Sequence, residues 1–474
     1  MKGDLRKAYS NNNIELAYKR LLRNSDRHYK AYFRNLYRSY TLAGDQALYD
    51  LGKRLRANVY PLQSASKTFT PKPSLVQRPI TLLAIEDQIT YQCLANIVAD
   101  YMYPVVRKNY GVKTFSNMYS GPTKEFFYRD WRTGYRAFTD AFANSYHEGY
   151  CWIASFDLTA CYDSIDHNVL KYFLTDIGVD DEFCDELIGR LSRWSALPGD
   201  NPIFQGHGIP QGPLSSGIFA ESVLRAFDDC DVANSPSLYR YLRYVDDIKL
   251  LSKTEEDLRR GLLELDRCSK RIGLFPQSSK INIHKIENVQ EEIKTISLPD
   301  IPPPFADSTK TAEQAIALLT KNLIIKPSDE SAFKYWLPNL KFNATNAIRL
   351  IKLLQRYPHL ASSIASWFLG SKKLSRKVSH EIIVVLAEQA IYSGSLAEFV
   401  SLLEDHVHPS CAQEFIDFCA RLYSDGFVMA DPVLRASVKE VLVSCGDVSW
   451  REKKKMLYGE KDWWVTSRLV FGIN

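Results

Sequence analysis

Two segments of this 474-residue chain set carboxylates at the ends of strand-like apolar runs. The first reads Phe156-Asp157-Leu158-Thr159-Ala160-Cys161-Tyr162-Asp163-Ser164-Ile165-Asp166-His167, and the second Tyr244-Val245-Asp246-Asp247. Carboxylates in such places are costly unless they are paired, bound to metal or exposed on a turn. Metal-assisted phosphoryl transfer uses two ions about 3.5–4 Å apart. One lowers the pKa of an attacking hydroxyl, and the other neutralises a triphosphate and its leaving pyrophosphate. Mg²⁺ takes hard oxygens, so two or three carboxylates plus substrate oxygens suffice. An Asp on one strand beside an Asp-Asp turn on its neighbour would supply them. An isolated Asp-Asp pair is equally the ordinary content of a solvated turn, so these residues decide nothing without their company.

The elements that must position them can be read from periodicity. Residues 150–156 form a short aromatic-rich apolar run, which suits a buried strand. Residues 239–245 and 248–252 are two largely apolar runs joined by the acidic pair, a hairpin pattern. Between these strands, 167–195 reads as helix, 206–212 as a Gly/Pro-rich turn and 215–227 as a further helix. Residues 255–272 carry Leu258, Leu262, Leu263, Leu265 and Ile272 along one side of another helix. Upstream, 1–60 and 85–103 are helical in pattern. Residues 61–80 contain Pro61, Pro71, Pro73 and Pro79 and are expected to be extended or loop. Residues 111–150 are aromatic and polar, punctuated by Gly111, Gly121, Gly134 and Gly149. Ile301-Pro302-Pro303-Pro304 is the clearest linker. Beyond it, helices are expected in succession over 311–325, 343–356, 359–370, 376–391, 395–405, 410–424, 432–445 and 449–457. Helix pairs of that kind suit a bundle or a HEAT-like solenoid, although no fixed repeat period is present.

Bulk properties exclude some classes. A hydrophobic content of 45% and a charged content of 24% fit a soluble globular chain, and the length predicts two or three domains. The nine cysteines show no CxxC pair and no zinc spacing, so free thiols in a reducing cytoplasm are expected. The N-terminus has no apolar h-region, so no secretory signal is expected. No apolar run approaches the 18 or so residues of a membrane span. The net charge of +5 is mild, but residues 1–40 hold ten Lys/Arg against three acids, with six tyrosines threaded between them. Cations with interleaved rings can bind nucleic acid. The same pattern also describes a solvated basic helix with an aromatic core stripe.

Taken in order, the segments resemble those of reverse transcriptases over about residues 65–290. Residues 157–165 look like motif A of that family, and Gly208-Ile209-Pro210-Gln211-Gly212-Pro213-Leu214-Ser215-Ser216 like motif B. Tyr244-Val245-Asp246-Asp247 looks like motif C, and Ile272-Gly273-Leu274 followed by Lys280 like motif D. Lys72-Pro73-x4-Arg78-Pro79 looks like the fingers motif of bacterial and group II intron enzymes. The resemblance implies an α+β fold of right-hand fingers and palm, an antiparallel sheet with packed helices, followed by an all-α C-terminal domain. The expected division is 1–150 for N-terminal helices and fingers, including part of the palm near 85–105, 151–298 for the palm and 299–474 for the helical domain. It implies RNA-directed DNA polymerisation from dNTPs with two Mg²⁺ or Mn²⁺ ions. Asp157, Asp246 and Asp247 would be catalytic metal ligands, joined by the Leu158 carbonyl. Tyr162 would be a steric gate against the ribose 2′-hydroxyl. Gln211 would contact incoming nucleotide and template, Lys72 and Arg78 would grip the triphosphate, and Lys280 would lie near the leaving pyrophosphate.

No pattern of an RNase H domain or of a Cys/His-rich endonuclease tail follows motif D. The stretch Phe126-Phe127-Tyr128-Arg129-Asp130-Trp131 departs from the intron enzymes. With the helical C-terminal region, it is similar to the bacterial abortive-infection and unknown-group defence reverse transcriptases. That resemblance implies an antiphage role, a dedicated non-coding RNA template, a cDNA product, a helical region in place of the thumb and a homo-oligomer. The alternatives are a retroelement or intron-derived enzyme, an RNA-dependent RNA polymerase, which Tyr162 opposes, and a catalytically inactive RNA-binding scaffold.

Overall fold

The computed structural model describes residues 3–24, 27–196, 205–295, 311–370, 374–388, 392–426, 428–444, 456 and 458–472. The Pro302–Pro304 linker and nearly all of the helix expected over 449–457 lie outside the described residues. In chain order the strands are β1 (Ser66–Pro71), β2 (Gln77–Leu82), β3 (Trp152–Asp157), β4 (Tyr239–Tyr244), β5 (Asp247–Ser252) and β6 (Ile283–Lys285). The chain divides into two compact units, Met1–Ala65 with Thr81–Ile293, and Ser66–Ile80 with Lys294–Asn474.

The first unit is built on an antiparallel sheet in the order β4-β5-β3-β6. The helices used below are α1 (Asn11–Arg23), α2 (Arg34–Arg56), α3 (Ile85–Val106), α4 (Trp131–His147), α5 (His167–Asp176), α6 (Asp181–Ser195), α7 (Ser216–Asp228) and α8 (Glu255–Arg271). Ile153, Ala154 and Phe156 of β3 and Ile248, Leu250 and Leu251 of β5 are fully buried. Strands this apolar need cover, and α8 packs on both of them. Helix α3 is buried for most of its length, with polar Asp87, Gln88, Gln92 and Asn96 buried beside its apolar residues, and packs against α1 and α7. Helix starts follow capping chemistry. Asp166 caps α5 through Asn168 and Val169 N–H, Asp180 caps α6 through Phe183 N–H, and Thr254 caps α8 through Asp257 N–H.

Helix α4 lies within the glycine-punctuated stretch 111–150, for which the sequence pattern names no element. Gly134 is inside it, and its reason is packing rather than a turn. A Cβ there would come within 2.1 Å of the Phe115 carbonyl oxygen. Four of the six N-terminal tyrosines are core residues. Tyr9, Tyr18, Tyr29 and Tyr37 are buried, while Lys19, Arg34 and Arg38 face solvent. Arg20 is fully buried and donates to Asn96 Oδ1 and to the Gly121, Pro122 and Lys124 carbonyls. A buried guanidinium is tolerable because its donors are met. The described cysteines are free thiols.

The second unit holds the β1–β2 hairpin and a succession of helices: α9 (Ala344–Leu354), α10 (Ala361–Phe368), α11 (Arg376–Glu388), α12 (Ser393–His406), α13 (Ala412–Ser424), α14 (Pro432–Ser444) and α15 (Trp463–Gly472). Helices two apart in sequence pack on each other, α9 on α11, α11 on α13, α10 on α12, and α12 on α14. That alternation stacks helix pairs in two layers, as solenoid repeats do. Among the described residues no helix is long and apolar enough to cross a membrane.

Candidate active site

The site begins with strand register. Asp157 ends β3 and stands directly opposite Asp247, the first residue of β5, so both side chains share one face of the sheet. Two like charges so placed repel, and lysines answer them. Lys280 Nζ lies 2.5 Å from Asp157 Oδ2, and Lys249 Nζ lies 3.1 Å from Asp247 Oδ1. Lys249 also donates to Ser155 Oγ at 3.0 Å. Lys280 comes from the turn Ser278–Lys280, which is held where Gln277 N–H donates to the Asp157 carbonyl.

The turn lies one residue earlier than the Asp-Asp turn the sequence predicts. Tyr244 pairs with Asp247, so the two-residue loop of the β4–β5 hairpin is Val245-Asp246. Val245 sits at φ 56°, a left-handed conformation that a β-branched residue adopts only under constraint. The constraint is visible on both sides of it. Val245 N–H donates to Ser116 Oγ at 2.5 Å, and Arg243 Nη1 donates to the Val245 carbonyl at 2.9 Å. Arg243 is 1% exposed and is anchored by Asp228 at 2.6 Å and Glu221 at 2.9 Å, both on α7. Burial pushes the Glu221 carboxyl up, and Arg243 opposes that rise. Thr114 and Tyr241 hydroxyls complete the shell around Asp228.

Tyr162 lies on the single turn Cys161–Ser164, reached through Ala160 in the left-handed region at φ 45°. Burial raises the Tyr162 hydroxyl well above its ordinary pKa, with Cys161, Asp246 and Glu221 adding to the rise. Cys161 is raised by burial and then by Asp246, Glu221 and Asp157. Asp246, Asp157, Cys161 and Tyr162 thus share one electrostatic neighbourhood. Leu158 is buried and bridges to Pro276.

Motif B is fastened to this turn. Ile209 N–H donates to the Tyr162 carbonyl and Gly208 N–H to the Ile165 carbonyl, both at 2.8 Å. Gly208 takes φ 92°, and a Cβ there would press on the Asp163 carbonyl at 3.3 Å. Gln211 Nε2 donates to Asp163 Oδ2 at 2.7 Å. The sequence-predicted residues Asp157, Leu158, Tyr162, Gln211, Asp246, Asp247 and Lys280 therefore all belong to the first unit. Lys72 and Arg78 lie on the β1–β2 hairpin of the second unit, Lys72 half-buried and Arg78 exposed.

Sequence reasoning missed Arg243, Glu221, Asp228, Ser116 and Lys249. A signal existed for three of them. Glu221 and Asp228 are seven residues apart, on one face of a largely apolar helix, and Arg243 follows buried Leu242 in a strand. Buried charges so spaced imply each other.

Among the described residues, no three His, Cys, Asp or Glu side chains converge as a ready-made metal cage. The donors nonetheless fit divalent cations that take part of their coordination from substrate. They are hard carboxylate oxygens, two of them opposed across a strand pair and both held by lysine ammonium groups that a stronger cation could displace.

Residues 70–299 match the family model described as reverse transcriptase (RNA-dependent DNA polymerase). The chain thus carries a reverse transcriptase domain, which is that of an RNA-directed DNA polymerase, a nucleotidyltransferase. Solved structures similar to it include apo telomerase from Candida tropicalis, at 11% identity and TM-score 0.37, covering 83% of this chain and 69% of that one. Telomerase from Candida albicans in complex with a TWJ fragment of telomeric RNA gives 12% identity and TM-score 0.36, covering 88% and 67%. No curated protein compared with the chain matches it. The fold is α+β.

Proposed function

We propose that this chain synthesises cDNA from dNTPs on an RNA template, with Asp157, Asp246 and Asp247 as the catalytic carboxylates. The observation that carries the reading is the register of Asp157 opposite Asp247, with Asp246 on the constrained turn beside them. Two Mg²⁺ ions held by these carboxylates, with the Leu158 carbonyl assisting, would activate the primer hydroxyl and neutralise the triphosphate. The protein's own groups do the rest. Tyr162 crowds the sugar 2′ position and favours dNTPs. Gln211, oriented by Asp163, contacts the incoming nucleotide and template. Lys72 and Arg78 grip the triphosphate as cations. Lys280, paired with Asp157 before substrate enters, turns to the leaving pyrophosphate and donates a proton there.

The biological setting proposed is bacterial antiphage defence, with a dedicated non-coding RNA as template and a homo-oligomeric enzyme. It is supported by the aromatic stretch 126–131 and by the stacked helix pairs that follow the polymerase core. The test is to purify the chain from its own cells and sequence the RNA and DNA that come with it. One abundant RNA species with complementary DNA is expected. Intron or retroelement RNA would overturn the defence reading, and RNA without complementary DNA would overturn polymerisation.

A further inference from the structure

The β1–β2 hairpin, which carries Lys72 and Arg78, is built into the helical second unit. Two aspartates join them, and both are helix caps with an oxygen to spare. Asp431 Oδ1 accepts from Val433 N–H at 2.9 Å and Leu434 N–H at 3.1 Å, which starts α14. Its Oδ2 turns the other way, accepting from Thr68 Oγ1 at 2.8 Å and from Phe69 N–H at 3.1 Å on β1. Asp462 does the same for α15. Its Oδ1 accepts from Trp464 and Val465 N–H, and Ser66 Oγ lies 3.0 Å from Oδ2 and 2.9 Å from Oδ1.

A cap needs one oxygen, so the second is available to hold a strand. The strand is an edge, whose outward N–H groups need partners. Ser66, Lys67 and Thr68 are all buried where they meet the helices. The approach is close. A Cβ on Gly394, near the start of α12, would come within 2.5 Å of the Phe69 carbonyl oxygen. At its far end the hairpin is free of these clamps. Its turn closes on itself through Lys72 N–H to the Val76 carbonyl, with Arg78 exposed.

We infer that Asp431 and Asp462 are positioning residues for nucleotide binding, and that the C-terminal helical unit serves as the mount of the triphosphate-gripping hairpin. The inference rests on the proposed role of Lys72 and Arg78. A strand held at one end by carboxylates presents the cations at the other in a fixed place. Loosening the clamp lets them wander, which weakens dNTP capture while leaving the carboxylate chemistry untouched.

The test is steady-state dNTP kinetics on the full chain with a primed RNA template. Thr68→Val removes one clamp bond while keeping shape. Asp431→Asn keeps a capping oxygen but presents an amide to β1. Gly394→Ala pushes the strand off its helix. Each is expected to raise KM for dNTP roughly tenfold, the effect of losing a hydrogen bond to a charged group. The expected kcat and primer-template affinity are unchanged, and Lys72→Ala combined with Thr68→Val should cost less than the two singles added. Unchanged KM in Thr68→Val and Gly394→Ala, or a fall in kcat with KM constant, would overturn the inference while leaving the hairpin's role intact. Unchanged KM in Lys72→Ala and Arg78→Ala would instead remove that role, and the inference with it.

Discussion

Val245 shows how much structure stands behind one carboxylate. A left-handed β-branched residue costs on the order of 1–3 kcal/mol and persists only where its surroundings enforce it. Here Ser116 holds its N–H and Arg243 its carbonyl, and together they fix where Asp246 points. Arg243 in turn depends on Asp228 and Glu221. Replacing Arg243 by Met would leave two buried carboxyls without their cation, and about 3–5 kcal/mol of stability should be lost in urea unfolding. Asp246→Ala with Asp247→Ala removes charge from a half-buried turn instead. DNA synthesis should fall by at least roughly 10³-fold in primer extension, while RNA binding and the unfolding midpoint hold. Tyr162→Ala should raise rNTP incorporation relative to dNTP by roughly tenfold or more, read from the ratio of kcat/KM values. The acidic residues were legible because Asp at the ends of apolar runs is conspicuous. Ser116 was not, since one serine accepting from a backbone N–H leaves no trace in spacing or hydropathy.

At the scale of elements, β3, β4 and β5 could be read because each is a short apolar run ended by turn chemistry, and α7 and α8 because their periodicity is clear. β6 is three residues long and too short to carry a pattern. Helix α4 was hidden by Gly134, which serves close packing on Phe115 and imitates a loop glycine. Helix α3 carries a further consequence. Asp87 in its first turn is buried and accepts from the Tyr60 hydroxyl, and burial raises its carboxyl from the ordinary 3.8 to about 7. Between those values the folded chain keeps a proton that the unfolded chain releases. Stability therefore falls as pH rises from about 4 to about 7, and this contribution is level above. Asp87→Asn should flatten that slope in thermal unfolding followed against pH, and the variant should be the more stable of the two at pH 8.

At the scale of the whole molecule, the reverse transcriptase match spans 70–299 and takes in most of the first unit together with much of the β1–β2 hairpin. The order of motifs was readable because each is a local string. That β1 and β2 share a unit with helices over 200 residues downstream was not, because it depends on Asp431 and Asp462, whose caps look in sequence like any others. The helical succession after the linker was readable from periodicity, whereas its pairing two helices apart is a matter of long-range packing. The central claim is that opposed carboxylates on β3 and β5 make this chain copy RNA into DNA. Its most direct test is single-turnover extension of a primed RNA template by the purified full chain with dNTPs and Mg²⁺, beside an Asp157→Asn variant of matched unfolding temperature. The account predicts template-complementary DNA from the wild type and none from the variant. Equal extension by both, or no DNA from either, would contradict it.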